Sequence, residues 1–214
     1  MTTETAATRR TTIYIDGLNL YYGALKGTPF KWLNIEKMFT KLRMHDDVRR
    51  IYYFTALVNG SAQIRQVSYL RALHTTPLVS VIEGRFKDKE VTCAVRRCTF
   101  KGRRSFLVPE EKRTDVNIGT IMLDDAYRDV TDRIVLVSGD SDLVSPLLLI
   151  KHRFPEIEII VYVPAQHPVR GAAVELRGAA DKHKMLPLDL LKKCQFPAEL
   201  DDGRGGVIKK PDTW

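Results

Sequence analysis

Four aspartates in this chain, Asp16, Asp115, Asp140 and Asp142, have the type and spacing to do chemistry. Two short contexts carry three of them: Ile13-Tyr14-Ile15-Asp16-Gly17-Leu18-Asn19, and Val135-Leu136-Val137-Ser138-Gly139-Asp140-Ser141-Asp142. Each opens with an apolar run that reads as a buried parallel strand, so its aspartates fall at or just beyond a strand exit. Asp115 opens a helix between them. In an α/β sheet such positions converge on one edge. Two bare carboxylates about 5 Å apart repel by about 3 kcal/mol at an effective dielectric near 20. A set of four therefore implies a neutralising cation. Oxygen-only ligation selects Mg²⁺ or Mn²⁺ over zinc, and the chemistry that follows is metal-dependent phosphoryl transfer. Asn19, three residues after Asp16, shares its face and is placed to orient a ligand or a scissile phosphate.

The elements that position these residues alternate between strand and helix. Strands are predicted over 12–15, 48–57, 79–83, 133–138 and 158–163. Helices are predicted over 18–25, 35–42, 62–74, 114–127, from Ser145-Pro146 to 152, and over 169–180. On the third of these helices Ile64, Val67, Leu70 and Leu73 are expected to form a buried stripe. Thr114 reads as a helix N-cap, and 184–196 as one more short strand or helix. Such alternation gives a parallel sheet with right-handed crossovers. In the order 3-2-1-4-5, strand order reverses between the first and fourth strands, where α/β sheets bind ligands. Asp16 and Asp140 would face each other across that crevice.

Residues 85–109 break the rhythm and alternate like the arms of a hairpin, with Lys101-Gly102 in the turn. The segment from Arg85 to Arg113 holds ten Lys/Arg against four Asp/Glu, so most of the chain's net charge of +8 sits there. Arg96, Arg97, Arg103 and Arg104 interleave with Phe100 and Phe106, a pattern suited to phosphate contacts and base stacking. The hairpin leads into Lys112-Arg113 and then Asp115, which delivers its basic end to the acidic edge. The bland alternative is a solvated charged hairpin.

The 214 residues suit one domain: a disordered lead over 1–11, a core over 12–196 carrying the 85–109 insertion, and a flexible tail over 197–214. The apolar runs are too short for a membrane span and the N-terminus lacks an apolar signal core, so a cytoplasmic protein is expected. Cys93, Cys98 and Cys194 read as free thiols, since a zinc knuckle at the first two would need further ligands. The sequence lacks a Walker loop and a dinucleotide fingerprint after the first strand, and it shows no Ser-His-Asp arrangement.

The segments around Asp16, Glu111-Lys112-Arg113-Thr114-Asp115-Val116, and Val137-Ser138-Gly139-Asp140-Ser141-Asp142 together resemble the three motifs of the NYN-domain family, within the PIN-like superfamily of metal-dependent nucleases. The likeness spans roughly Thr12–Leu186. It implies a three-layer α/β/α PIN-like fold, with Asp16, Asp115, Asp140 and Asp142 on the acidic metal-holding positions. Asn19 falls on the characteristic asparagine, and Ser138 on a small hydroxyl position beside the substrate. It further implies an endoribonuclease that hydrolyses RNA phosphodiesters with Mg²⁺ or Mn²⁺ and an activated water. The strand, single-stranded or structured RNA, would be gripped by Lys112, Arg113, Arg96, Arg97, Arg103 and Arg104. Small PIN-like domains often pair, so a homodimer belongs to the expectation. Some similar proteins regulate rather than cut, so the rival is a catalytically silent nucleic-acid-binding module. A second likeness, of Glu83 with Asp140 and Asp142 to the Toprim pattern, leaves Asp16, Asn19 and Asp115 unexplained.

Overall fold

The structure is a computed structural model that describes residues 8–165 and 174–214. Six parallel strands form the central sheet: β1 (Arg10–Asp16), β2 (Asp47–Thr55), β3 (Val79–Glu83), β6 (Arg133–Val137), β7 (Glu158–Val163) and β8 (Lys182–Met185). Two further strands, β4 (Arg85–Thr92) and β5 (Ser105–Lys112), make a separate antiparallel hairpin. The sheet order is β3-β2-β1-β6-β7-β8, which corrects the expected 3-2-1-4-5. The hairpin takes the fourth and fifth places in chain order. Lys182–Met185 adds a sixth strand by pairing along β7. Strand β1 lies between β2 and β6, in parallel register with both, so the reversal of strand order falls between β1 and β6.

Both faces of the sheet are covered. Ile13 and Ile15 of β1 pack with α2 (Ile35–Leu42), α3 (Ser61–Leu73) and α7 (Leu188–Lys193). Tyr14, between them, points to the opposite core with α4 (Thr114–Tyr127), α5 (Val144–Arg153) and α6 (Val174–Ala179). The architecture is thus three-layered α/β/α. Tyr14 also donates a buried hydrogen bond of 2.6 Å to Asp125. That bond fixes α4 against β1 and sets where the other end of α4, with Asp115, can lie.

Several local expectations change. Strand β1 begins at Arg10, inside the segment expected to be a disordered lead; the first seven residues lie outside the described ones. The first helix is only α1 (Gly17–Leu20), continued by a π-helical turn over Tyr21–Leu25. Helix α3 buries Tyr69, Leu70, Ala72 and Leu73, whereas Ile64 is 74% exposed. The expected stripe holds at Leu70 and Leu73 and is lost at Ile64 and Val67, because only the second half of α3 packs on the sheet. The segment 184–196 supplies both the end of β8 and α7, and the first part of the helix expected over 169–180 lies outside the described residues.

The segment expected as a flexible tail is folded back onto the core. β9 (Glu199–Asp201) and β10 (Val207–Lys209) pair antiparallel. Ile208 is buried, and the ring of Trp214 lies 5.8 Å from that of Tyr69 and 6.3 Å from that of Trp32. Burial of Trp32 strands its indole N–H unless an acceptor is supplied, and the carbonyl of Pro197 supplies it at 2.8 Å.

Candidate active site

The site is built at the exits of β1 and β6. Asp16 ends β1 and caps α1: its Oδ1 accepts from the backbone N–H of Asn19 at 2.9 Å. Its Oδ2 accepts from the Ser138 hydroxyl at 3.1 Å, across the crevice between the two strands. The same hydroxyl accepts from the Asp140 N–H at 3.1 Å. Asp140 in turn caps a 3-10 turn over Ser141–Leu143, with its Oδ1 accepting from the Asp142 N–H at 3.0 Å. Asn19 adds a second clip: its Oδ1 accepts from the Gly139 N–H at 3.0 Å. Asp16, Asn19, Ser138, Asp140 and Asp142 thus form one hydrogen-bonded chain.

Gly17 allows this arrangement through close approach. A Cβ there would stand 2.6 Å from the Phe54 carbonyl oxygen and 2.6 Å from Cζ of Tyr53. The helix expected to start at Ser145 starts instead at Val144, directly after the 3-10 turn, so Asp142 belongs to that turn.

Asp115 completes the set. Arg113, not the expected Thr114, is the N-cap of α4, and it has φ of 84°, in the left-handed region. Thr114 is the first helical residue. Its backbone N–H donates to Glu111 at 3.1 Å, and its hydroxyl donates to the same oxygen. Gly84 lets the hairpin base close here, since a Cβ would meet Glu111, the Lys112 carbonyl and Thr114 at 2.8 Å each. Glu111 was not singled out from sequence. Its position three residues before the first residue of the helix is the signal that could have found it.

The electrostatics match a cation-seeking site. Burial pushes the Asp115 carboxyl up to about 6, and the charges of Asp140, Asp16, Glu111 and Asp142 push it the same way. Asp16, only 5% exposed, is raised by burial and by Asp140, while Asn19 and Ser138 oppose the shift. Burial leads the causes of both shifts, and neighbouring carboxylates add to it. Along the hairpin, Lys89 and Lys112 are paired with Glu110, and Arg103 with Glu90. Every side-chain donor in the set is oxygen, the chemistry of a hard divalent ion. No ready-made group of three His, Cys, Asp or Glu ligands is present among the described residues. Mg²⁺ typically keeps several waters and takes one or two carboxylates, so this donor set fits such an ion without a closed cage.

A stability prediction follows. Between the ordinary carboxylate value of 3.8 and about 6, the folded chain binds the Asp115 proton more tightly than the unfolded chain does. This group's contribution to metal-free stability therefore falls as pH rises through that window. Asp115→Asn is expected to flatten that part of the Tm–pH profile. In EDTA at neutral pH it should raise Tm by roughly 3–6 °C, equivalent to about 1–2 kcal/mol after solvent screening. Thermal melts of both proteins from pH 4 to 7.5 check this.

A groove of about 670 Å³ runs beside the acidic edge. Asp115 and Asp142 line it, together with Glu111, Lys112, Arg113 and Pro146. Lys112 and Arg113 are therefore brought to the site. Arg96, Arg97, Arg103 and Arg104 lie farther out, exposed toward the tip of the hairpin. Ser138 is fully buried, so its hydroxyl positions Asp16 and Asp140 and is not exposed to a substrate. Cys93, Cys98 and Cys194 are free.

The comparisons bear on the same segments. The model of the NYN domain family matches residues 10–187, which include every member of the hydrogen-bonded chain and Asp115. The chain belongs to the NYN domain family. NYN domains are generally nuclease-like and typically metal-dependent. A similar curated protein is the 6-hydroxy-3-succinoylpyridine 3-monooxygenase HspA of Pseudomonas putida (strain DSM 28022 / S16). It is 30% identical over 241 aligned residues, covering 96% of this chain and 75% of that protein. The crystal structure of a protein of unknown function from Vibrio parahaemolyticus RIMD 2210633 shares the fold, with a TM-score of 0.53 and 17% identity. It covers 87% of this chain and 98% of that one. Among the described residues of this NYN domain, no helix is long and apolar enough to cross a membrane.

Proposed function

We propose that this NYN domain is a divalent-metal-dependent endoribonuclease. The observation that carries the reading is the hydrogen-bonded chain from Asp16 through Ser138 to Asp140 and Asp142, with Asp115 raised by burial and by the charges of the others. Asp16, Asp140 and Asp142 would hold Mg²⁺ or Mn²⁺, with Asp115 at the margin of the set. The ion, when bound, supplies positive charge to the phosphoryl oxygens and lowers the pKa of water.

The chain's own residues do the rest. Ser138 and Asn19 fix the Asp16 carboxylate, so little reorganisation accompanies substrate binding. Asp115, at the margin of the set, suits orientation of the attacking water. In-line attack breaks the bond from phosphorus to the 3′ oxygen, and no protein nucleophile is required. Lys112 and Arg113 hold the strand along the groove, with the hairpin tip extending the contact. A homodimer remains part of the proposal.

Incubation of the purified protein with single-stranded and structured RNA, and with DNA, in Mg²⁺, Mn²⁺ or EDTA tests the reading. Cleavage of RNA that EDTA abolishes is the expected result; binding without cleavage supports a silent module. The double variant Lys112→Glu/Arg113→Glu should weaken RNA binding at least about tenfold. It should also flatten the dependence of log K on log salt by about 1.4 for two lost single-strand phosphate contacts. Filter binding across a salt series measures both.

A second reading starts from the monooxygenase name of the Pseudomonas putida relative, and one observation favours it. A cavity walled by aromatic side chains abuts the Asp16-Gly17 turn. Assay of 6-hydroxy-3-succinoylpyridine for hydroxylation, with a reduced nicotinamide or flavin and oxygen, decides whether this chain shares that activity.

A further inference from the structure

That cavity, of about 390 Å³, opens at the same sheet edge as the carboxylates but over the opposite core. Gly17 and Leu18 come from the exit of β1, and Thr55 and Val58 from the exit of β2. Tyr21, Tyr22, Tyr53, Tyr69 and Trp214 supply aromatic surface. Tyr22 is 60% exposed, with the Lys26 ammonium 4.8 Å from its ring centroid. Tyr53 and Tyr69 meet edge to face at 6.0 Å and form a fixed wall. Gln66 is locked: its Oε1 accepts from the Val58 N–H at 2.8 Å, and its Nε2 donates to the Ala56 carbonyl at 2.9 Å.

The side-chain charges lining this cavity are of one sign. Lys31 and Arg65 line it, both partly buried, and no aspartate or glutamate does. Neither cation has a salt-bridge partner among the described residues, whereas Arg71, farther along α3, is paired with Asp202. Two partly sequestered cations without counter-ions, set among aromatic rings, suit a ligand that brings its own negative charge on a flat ring.

We propose that this cavity binds a planar heteroaromatic ring bearing an anionic group, and that its occupant is a nucleotide of the bound strand flanking the scissile phosphate. The ring lies against the tyrosines and Trp214, and Lys31 and Arg65 take the phosphate. The position fits, because Asp16 and Gly17 are adjacent in the chain and face the carboxylate site and the cavity respectively. The cavity would thus favour a strand from which one base can be splayed out, as single-stranded RNA allows. The identity of the occupant rests on the nuclease reading; the binding site itself does not.

The test uses the whole chain in EDTA, so that binding is read without cleavage. Adenosine 5′-monophosphate, nicotinate (a free pyridine acid) and inorganic phosphate are titrated while tryptophan fluorescence is followed. The nucleotide is expected to quench Trp214 emission, the Trp214→Phe variant to lose the signal, and phosphate alone to bind at least about tenfold more weakly, for want of stacking. Lys31→Gln and Arg65→Gln should each weaken the nucleotide by roughly tenfold, and Tyr22→Ala, at an exposed ring, by a similar factor. Nicotinate binding as tightly as the nucleotide would keep the site but overturn the nucleotide assignment. No quenching, or affinity unchanged in both cation variants, overturns the site. A protein that binds the nucleotide yet cuts no RNA contradicts the nuclease reading alone; one that cuts RNA but fails this titration contradicts the cavity alone.

Discussion

Asp140→Asn is expected to lower RNA cleavage by about 10²–10³-fold or more, as loss of one preorganised charged group at a phosphoryl centre does. The substitution is nearly isosteric. The amide oxygen still accepts from the Asp142 N–H, and the backbone N–H of residue 140 still donates to Ser138. What changes is charge. Asp140 adds to the upward push on both Asp115 and Asp16, so its neutralisation relieves repulsion in the metal-free protein. Tm in EDTA should therefore hold or rise while activity falls, and the stabilisation that Mn²⁺ confers should shrink. Rate measurement at saturating metal, paired with melts in EDTA and in Mn²⁺, separates a chemical defect from unfolding.

Removal of residues 197–214 should lower Tm by roughly 10–20 °C. Ile208 and the packed face of Trp214 would leave the core, each contributing about 1.5–3 kcal/mol by burial. The Trp32 indole N–H would lose the Pro197 carbonyl, at a further cost of about 1–3 kcal/mol for a buried unpaired donor. A melt of the truncated chain against the full chain measures this directly. A shift of only a degree or two would mean that the terminal hairpin contributes little to the folded state.

These outcomes depend on features that differ in how visible they are along the chain. The parallel strands carrying Asp16 and Asp140 were legible because central strands are continuous apolar runs ending at turn residues. Their adjacency followed from connection rules, and the β1–β6 pairing places the two aspartates at neighbouring exits. The sixth strand was not legible. Lys182–Met185 reads Lys-His-Lys-Met and is exposed along its length, so its strand character comes from pairing with β7 and not from its own pattern. The terminal hairpin escaped for a similar reason. Its glycines and lysines look like a linker, and only tertiary contacts reveal that Ile208 and Trp214 are anchors. In the site, residue types were readable but their partners were not. Ser138 looked like a substrate contact and proved to be a buried strut between two carboxylates. Glu111 had no role of its own in the motif around Asp115, yet it grips the first turn of α4. The first half of α3, where the expected stripe is lost, contributes Ala62, Arg65 and Gln66 to the aromatic cavity.

The proposed chemistry requires a divalent ion held among Asp16, Asp140, Asp142 and Asp115. Crystals soaked in Mn²⁺ and measured at the manganese absorption edge test it most directly. An anomalous peak is expected about 2.1 Å from a carboxylate oxygen of Asp16 or Asp140, within reach of a second member of the set directly or through one water. An anomalous map without a peak at the exits of β1 and β6, from crystals shown to take up manganese elsewhere, would contradict it.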